Sequence, residues 1–215
     1  MKQKSAGNPI FMKKQLIYLS IAAVLMTSCT KNIDSLISNV TTKDGQSAPA
    51  NEFVKYTINK GEQYCDKNSY KLVSYEQLNF LVKFDSSAVY QTVAASNQND
   101  INKLFGFSDN NKQHHEFSAR FGWRWVDNAL HLMAYVYNNS IMSYKEVGTV
   151  EIGSENTCSI LVSGTSYIFT LNGTSVTMPR ASTTAKAQGY KLYPYFGGDE
   201  MAPHTISVWI KEINN

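Results

Sequence analysis

Two arginines, a histidine and two tyrosines fall at alternate positions of one short stretch, EFSARFGWRWVDNALHLMAYVYN, residues 116 to 138. Asp127 and Asn128 both tolerate the left-handed backbone that a two-residue hairpin turn needs, which sets Val126 opposite Ala129. Counting outward places Arg124 across from His131, Gly122 from Met133, Arg120 from Tyr135 and Ser118 from Tyr137, all on one face. Guanidinium forks match carboxylates or vicinal hydroxyls, and a phenol offers a flat apolar face with a polar tip. Arg120, Arg124, His131, Tyr135 and Tyr137 are therefore the candidate ligand-binding residues, on an exposed groove floor. Ordinary cross-strand pairing of Arg with Tyr, at under about 1 kcal/mol per pair, is the competing explanation.

The other face of the same hairpin pairs Trp125 with Leu130, Trp123 with Leu132, Phe121 with Ala134 and Ala119 with Val136. Large aromatics opposite small or branched partners fill a sandwich interior, so this face is the expected core. Short alternating runs bounded by Gly, Asn, Ser and Asp recur after residue 52. They predict strands over 52–59, 70–74, 77–85, 116–126, 129–138, 145–152, 157–163, 166–172, 174–178, 189–196 and 204–213. Such a series implies an all-β antiparallel sandwich over 52–215. The Asn- and Asp-rich segment 96–112 is expected to be a long loop with one short helix, of the kind that often carries function.

The N-terminal region carries an address. Met12-Lys13-Lys14, an apolar run from Leu16 to Met26 and small residues before a cysteine describe a secretory signal, too short for a membrane span. The stretch Leu25-Met26-Thr27-Ser28-Cys29 resembles a bacterial lipoprotein lipobox. That resemblance implies a signal peptide over 1–28, lipidation at Cys29, a lipid-bilayer partner and a place in the cell envelope on the outer membrane. Residues 29–51 are polar, lack aromatics and end near Ala-Pro-Ala, which suits a flexible tether.

Four of the chain's 20 basic side chains precede Cys29 with no acid among them, so 16 remain against 17 acidic ones. The formal charge of +3 disappears with the signal, and with it the electrostatic case for nucleic acid. Beyond Cys29 stand two cysteines, Cys65 and Cys158, candidates for a disulfide that would stabilise an exported domain by about 4 kcal/mol. Two buried thiols are the alternative; neither cysteine has the spacing of a zinc ligand.

From Gly164 the chain reads GTSYIFTLNGTSVTMPRAS and then GYKLYPYFGGDEMAPHTISVWIKEIN. A strand, an Asn-Gly turn, a second strand, an apolar strand ending in Phe196-Gly197-Gly198 and a final strand follow in order. Over these roughly 50 residues the chain resembles the closing half of concanavalin-like jelly rolls of the laminin-G and lectin type. The resemblance implies a jelly-roll fold and makes a glycan a plausible partner. No cofactor is expected: Asp109-Asn110-Asn111 or Asp199-Glu200 could supply loop oxygens to calcium, but the spacing fits no defined calcium loop and Asp and Asn are also common turn residues.

A glycosidase needs two carboxylates about 5–10 Å apart, whereas Glu116, Glu146 and Glu151 stand alone in their strands. Polysaccharide-lyase chemistry suits the hairpin better in residue types, but the Gln-His pair and the fuller arginine strand of jelly-roll lyases are missing. His114-His115 reads as a solvated turn, and His204 as a support of the Gly-Gly corner. Serine-nucleophile and phosphate-loop motifs are absent. Three functions stay open: a lipoprotein binding a glycan or a protein partner without catalysis, a lyase-like enzyme on the same face, and a structural envelope lipoprotein.

Overall fold

The computed structural model describes residues 52–213. The expected signal peptide, the expected lipidation site at Cys29 and the expected tether lie outside the described residues. Twelve strands form: β1 (Val54–Ile58), β2 (Leu72–Tyr75), β3 (Gln77–Phe84), β4 (Asn102–Ser108), β5 (Phe117–Val126) and β6 (Ala129–Asn138), followed by β7 (Ile141–Val150), β8 (Glu155–Ser163), β9 (Ser166–Leu171), β10 (Thr174–Pro179), β11 (Ala187–Leu192) and β12 (Ile206–Ile213). They pair antiparallel in two six-stranded sheets, ordered β1-β12-β3-β8-β9-β10 and β2-β11-β4-β5-β6-β7. This is a jelly-roll sandwich: the alternation and turn signals predict the sandwich, and the resemblance of the closing half implies the jelly roll.

The β5–β6 hairpin has the register counted from its turn, from Val126↔Ala129 to Phe117↔Asn138, with Asp127 at φ 49° and Asn128 at φ 60°. Its inner face is the core. Phe121 meets Phe80 and Phe169 of the facing sheet at 5.7 and 5.2 Å between ring centroids, and Trp123 meets Phe84 at 5.5 Å. Each such ring contributes on the order of 2–3 kcal/mol by the apolar area it removes from water. The Asn172-Gly173 turn likewise closes β9 on β10, with Thr174 opposite Leu171.

Two expectations need correction. Segment 96–112 contains a strand, β4, in the middle of its sheet between β11 and β5. A β-bulge between Lys103 and Phe105 breaks the two-residue period, so that Leu104, Phe105 and Phe107 all reach the core and no alternation shows in the sequence. Gly106 further disguises it: a Cβ there would lie 2.2 Å from the Ala119 carbonyl oxygen and 2.5 Å from Arg120 Cα, so close is β4 to β5. The short helix of that region is a 3-10 turn over Ala95–Asn99, ahead of the strand.

The second correction concerns the cysteines, which are both buried and free. Cys65 bridges to Ile58 beside β1, whereas Cys158 lies in β8, three places along the sheet order from β1. Cys65 sits on the side of β1 away from β12, so four inter-strand steps of roughly 4.8 Å put the two about 19 Å apart, beyond the reach of a disulfide. Burial pushes both thiols up, Cys65 to about 11.

The loop residues weighed for calcium take part in contacts of the fold. Asp109 is fully buried and accepts from Arg180 Nε at 2.8 Å, Tyr167 Oη at 2.6 Å and the Gln188 backbone N–H at 3.0 Å. Asn110 Oδ1 accepts from the Thr183 backbone at 3.1 Å, and Asn111 Nδ2 donates to Gln188 Oε1 at 3.2 Å. Glu200 accepts from the Val93 and Ala94 backbone N–H groups, both at 2.8 Å, which holds its carboxyl below the usual range. These oxygens tie loops together instead of facing a common point.

Candidate functional site

The outer face of β5 and β6 is divided into three parts. At the turn end, Arg124 donates from Nη1 to the Asn99 carbonyl at 2.9 Å, and His131 Nδ1 lies 3.0 Å from Glu146 Oε1 of β7. In the middle, Gly122 leaves room for Ile101, which packs with Met133 and Tyr135 into a small apolar plug bordered by Tyr137. Beyond the plug opens a cleft of about 440 Å³. Arg120, Tyr135 and Tyr137 line it; Arg124 and His131 do not. The face is thus neither continuous nor fully exposed, because the segment preceding β4 lies across its centre.

Short backbone bridges assemble the cleft walls. Lys103 and Tyr195 exchange N–H···O bonds of 2.8 and 2.9 Å, and Tyr64 bridges to Tyr195 in turn. The Tyr64 and Tyr195 rings meet edge-on at 4.9 Å, and Tyr70 packs on Tyr190 at 5.3 Å. On the β6 side, Tyr135 meets Tyr137 at 5.9 Å and His115 lies 5.3 Å from Tyr137. Tyr64 and Tyr70 remain 64% and 73% exposed, so apolar ring faces look out at the rim.

His114 belongs to this cleft and not to a solvated turn. Tyr190 Oη donates to Gln113 Oε1 at 3.0 Å and accepts from the His114 backbone N–H at 3.0 Å. The same hydroxyl lies 2.8 Å from His114 Nδ1. Burial, and then the Arg120 and His115 charges, push His114 down to about 4, so the imidazole is neutral near pH 7. His204 bonds the Ser87 carbonyl at 2.8 Å through Nε2, so it ties the start of the last strand to the 3-10 turn Ser86–Ala88 and not to the Gly-Gly corner.

The electrostatics are one-sided. Arg120, Lys103 and Lys191 line the cleft, and no Asp or Glu does. Lys191 is paired with Glu212. Burial lowers Lys103 to about 8, with Arg120 adding to the effect and Asp100 opposing it. Arg120 is lowered by burial to about 10. Both cations lie against one ring, Lys103 Nζ 5.1 Å and Arg120 Cζ 5.3 Å from the Tyr135 centroid. Cation–π contacts return up to about 2 kcal/mol, less than the several kcal/mol that burying an ion costs.

Lys103, His114, Tyr64, Tyr70, Tyr190 and Tyr195 were not among the residues the hairpin pointed to. The sequence signal available for part of this set is Tyr190, Tyr193 and Tyr195 crowded within six residues before the Gly-Gly corner. Two-carboxylate hydrolysis has no acid pair in this cleft.

No protein-family model matches the chain, and no curated protein sequence matches it. Among solved structures, a Bacteroides ovatus mixed-linkage-glucan glycoside hydrolase of family 16, in complex with product, superposes with a TM-score of 0.50 at 14% identity, covering 80% of this chain and 82% of that one. An alginate lyase superposes with a TM-score of 0.49 at 12% identity over 76% of each chain. A carbohydrate-binding module from Bacillus subtilis gives 0.39 at 8% identity, covering 76% of this chain and 92% of that one. The likeness is one of fold. At such identities no residue role passes from those proteins to this one.

Proposed function

We propose that the domain is a noncatalytic glycan-binding module of an exported lipoprotein, anchored to the outer membrane through acylated Cys29. The observation that carries the binding reading is the cleft itself: a concave site of ligand-pocket size whose walls are tyrosine rings and whose floor carries hydrogen-bond donors but no acid pair. Flat rings stack on the apolar faces of sugars, while Arg120, Lys103 and the phenols address hydroxyls. The lipobox-like stretch before Cys29 supports the anchoring.

On a glycan array the domain from residue 52 onward is expected to bind, with Tyr190→Ala and Tyr195→Ala each weakening binding about tenfold or more while the fold is retained. Normal binding in both variants would exclude the cleft as the site. Labelling by a palmitate analogue is expected in the full chain and lost in Cys29→Ala; persistent labelling would contradict the anchor.

A lyase-like enzyme is the second reading, favoured by a neutral His114 in the same cleft as Arg120. There a base would take the proton beside a uronate carboxylate, the electron pair would form a C=C bond as the glycosidic C–O bond breaks, and the departing oxygen would take a proton from a tyrosine hydroxyl of the cleft. Appearance of unsaturated-uronate absorbance on incubation with polyuronates would establish it over the binding reading.

A further inference from the structure

Arg120 and Lys103, on the cleft floor, have no ion-pair partner among the described residues. Arg120, only 6% exposed, makes no hydrogen bond or ion pair among the described residues, and its Nε is sealed from solvent without an acceptor. Arg124, on the same strand, also has an unpartnered Nε, but it places Nη1 on the Asn99 carbonyl. Lys103 has the Tyr135 ring beside it and no acceptor. The nearby acid, Asp100, forms no ion pair with Lys103, and its carboxylate accepts instead from the Asp199 backbone N–H.

The fold matches its other buried cations. Arg180 is held by Asp109, and Lys191 by Glu212. A buried guanidinium with only an aromatic ring for company is a net cost to the folded state. That cost is incurred at a place that opens to solvent through a cleft, where a solute can supply the missing charge.

We propose that Arg120 and Lys103 form a subsite for one anionic group, a carboxylate or a sulfate ester, borne on a sugar, so that the cleft takes an acidic glycan. The proposal rests on the glycan reading of the cleft given above. The planar guanidinium presents paired N–H donors to two oxygens of either anion, and the lysine adds a compact charge beside it. Tyr190 and Tyr195 flank the same floor, where the ring carrying the anion would lie. Because Arg120 is unpaired without ligand, its replacement by an apolar side chain of similar length relieves a cost while removing the subsite.

The test is calorimetric titration of the wild-type domain and Arg120→Met with a polyuronate, the same polymer after carboxyl reduction, a sulfated neutral-backbone glycan and a neutral glucan, together with melting curves. An acidic probe is expected to bind wild type about tenfold or more tighter than its neutral counterpart, and Arg120→Met to lose that preference. Preference for the polyuronate alone identifies a carboxylate, and for the sulfated glycan alone a sulfate ester. Ligand-free Arg120→Met is expected to melt a few degrees above wild type. Lys103→Met, at a half-buried position, carries the same binding comparison should Arg120→Met fold poorly. Equal affinity for acidic and neutral probes overturns the anion subsite and leaves the glycan reading in place. If no glycan binds, but inorganic sulfate raises the melting point of wild type and not of Arg120→Met, the subsite stands and the glycan reading falls. No response to any probe overturns both.

Discussion

Replacing Asp109 by alanine is expected to destabilise the domain by about 3–5 kcal/mol, because it leaves the Arg180 guanidinium buried without its counter-ion. The carboxylate gathers Arg180, Tyr167, Thr184 and the Gln188 backbone around the end of β4, so its loss also strands several buried donors. These partners come from both sheets and from the segment joining β10 to β11. Chemical denaturation measures the loss directly. A paired change, Asp109→Leu with Arg180→Met, is expected to recover most of it, since no charge then stays buried. Asp109 has its carboxyl held below the usual range despite burial, by Arg180 first and then the Tyr167 hydroxyl. Its stabilisation is therefore present above the unfolded-state value near 3.9 and lost as pH falls through the lower folded-state value. A loss below about 1 kcal/mol in Asp109→Ala would show that water replaces these contacts.

Trp123→Ala is expected to cost about 3–5 kcal/mol as well, by a different route. The indole is fully buried between Phe84, Tyr90 and Phe196, at 5.5, 5.6 and 6.4 Å between ring centroids. Truncation removes the apolar transfer term and leaves a cavity that the strands on either side cannot close. The thermal midpoint should fall by roughly 10 °C or more for a domain of this size. Phe196 follows Tyr195 in the chain, so weaker glycan binding is expected to accompany the lower midpoint. Trp123→Phe, which keeps most of the ring, should show a much smaller fall. Equal losses in the two variants would contradict an origin in the ring area removed, because the indole N–H has no acceptor among the described residues and contributes no bond to lose.

Local rules made the β5–β6 hairpin legible. Its turn residues set the register, and register alone assigned Trp123, Phe121, Leu132 and Ala134 to the core. Half of the site failed to show because it depends on contacts between distant segments. Lys103 reaches the cleft from a strand whose bulge hides its period, and Tyr64 and Tyr195 arrive through isolated bridges that leave no pattern. Arg124 and His131 share the face with Arg120 but not the cleft, because Gly122 admits Ile101 between them. The hairpin arithmetic gives a side chain's face; it does not give what lies over that face. The cysteine pair failed for a related reason, since sequence shows that two thiols exist and only sheet order shows how many strands separate them.

Arg120 and Arg124 lie on the same face of the same strand, one inside the cleft and one outside it. Glycan affinity of Arg120→Ala and Arg124→Ala, titrated side by side with an array-positive oligosaccharide, therefore tests the location of the site most directly. The cleft predicts a loss of about tenfold or more in Arg120→Ala and near-normal affinity in Arg124→Ala. Equal losses in both, or a loss in Arg124→Ala alone, would contradict it.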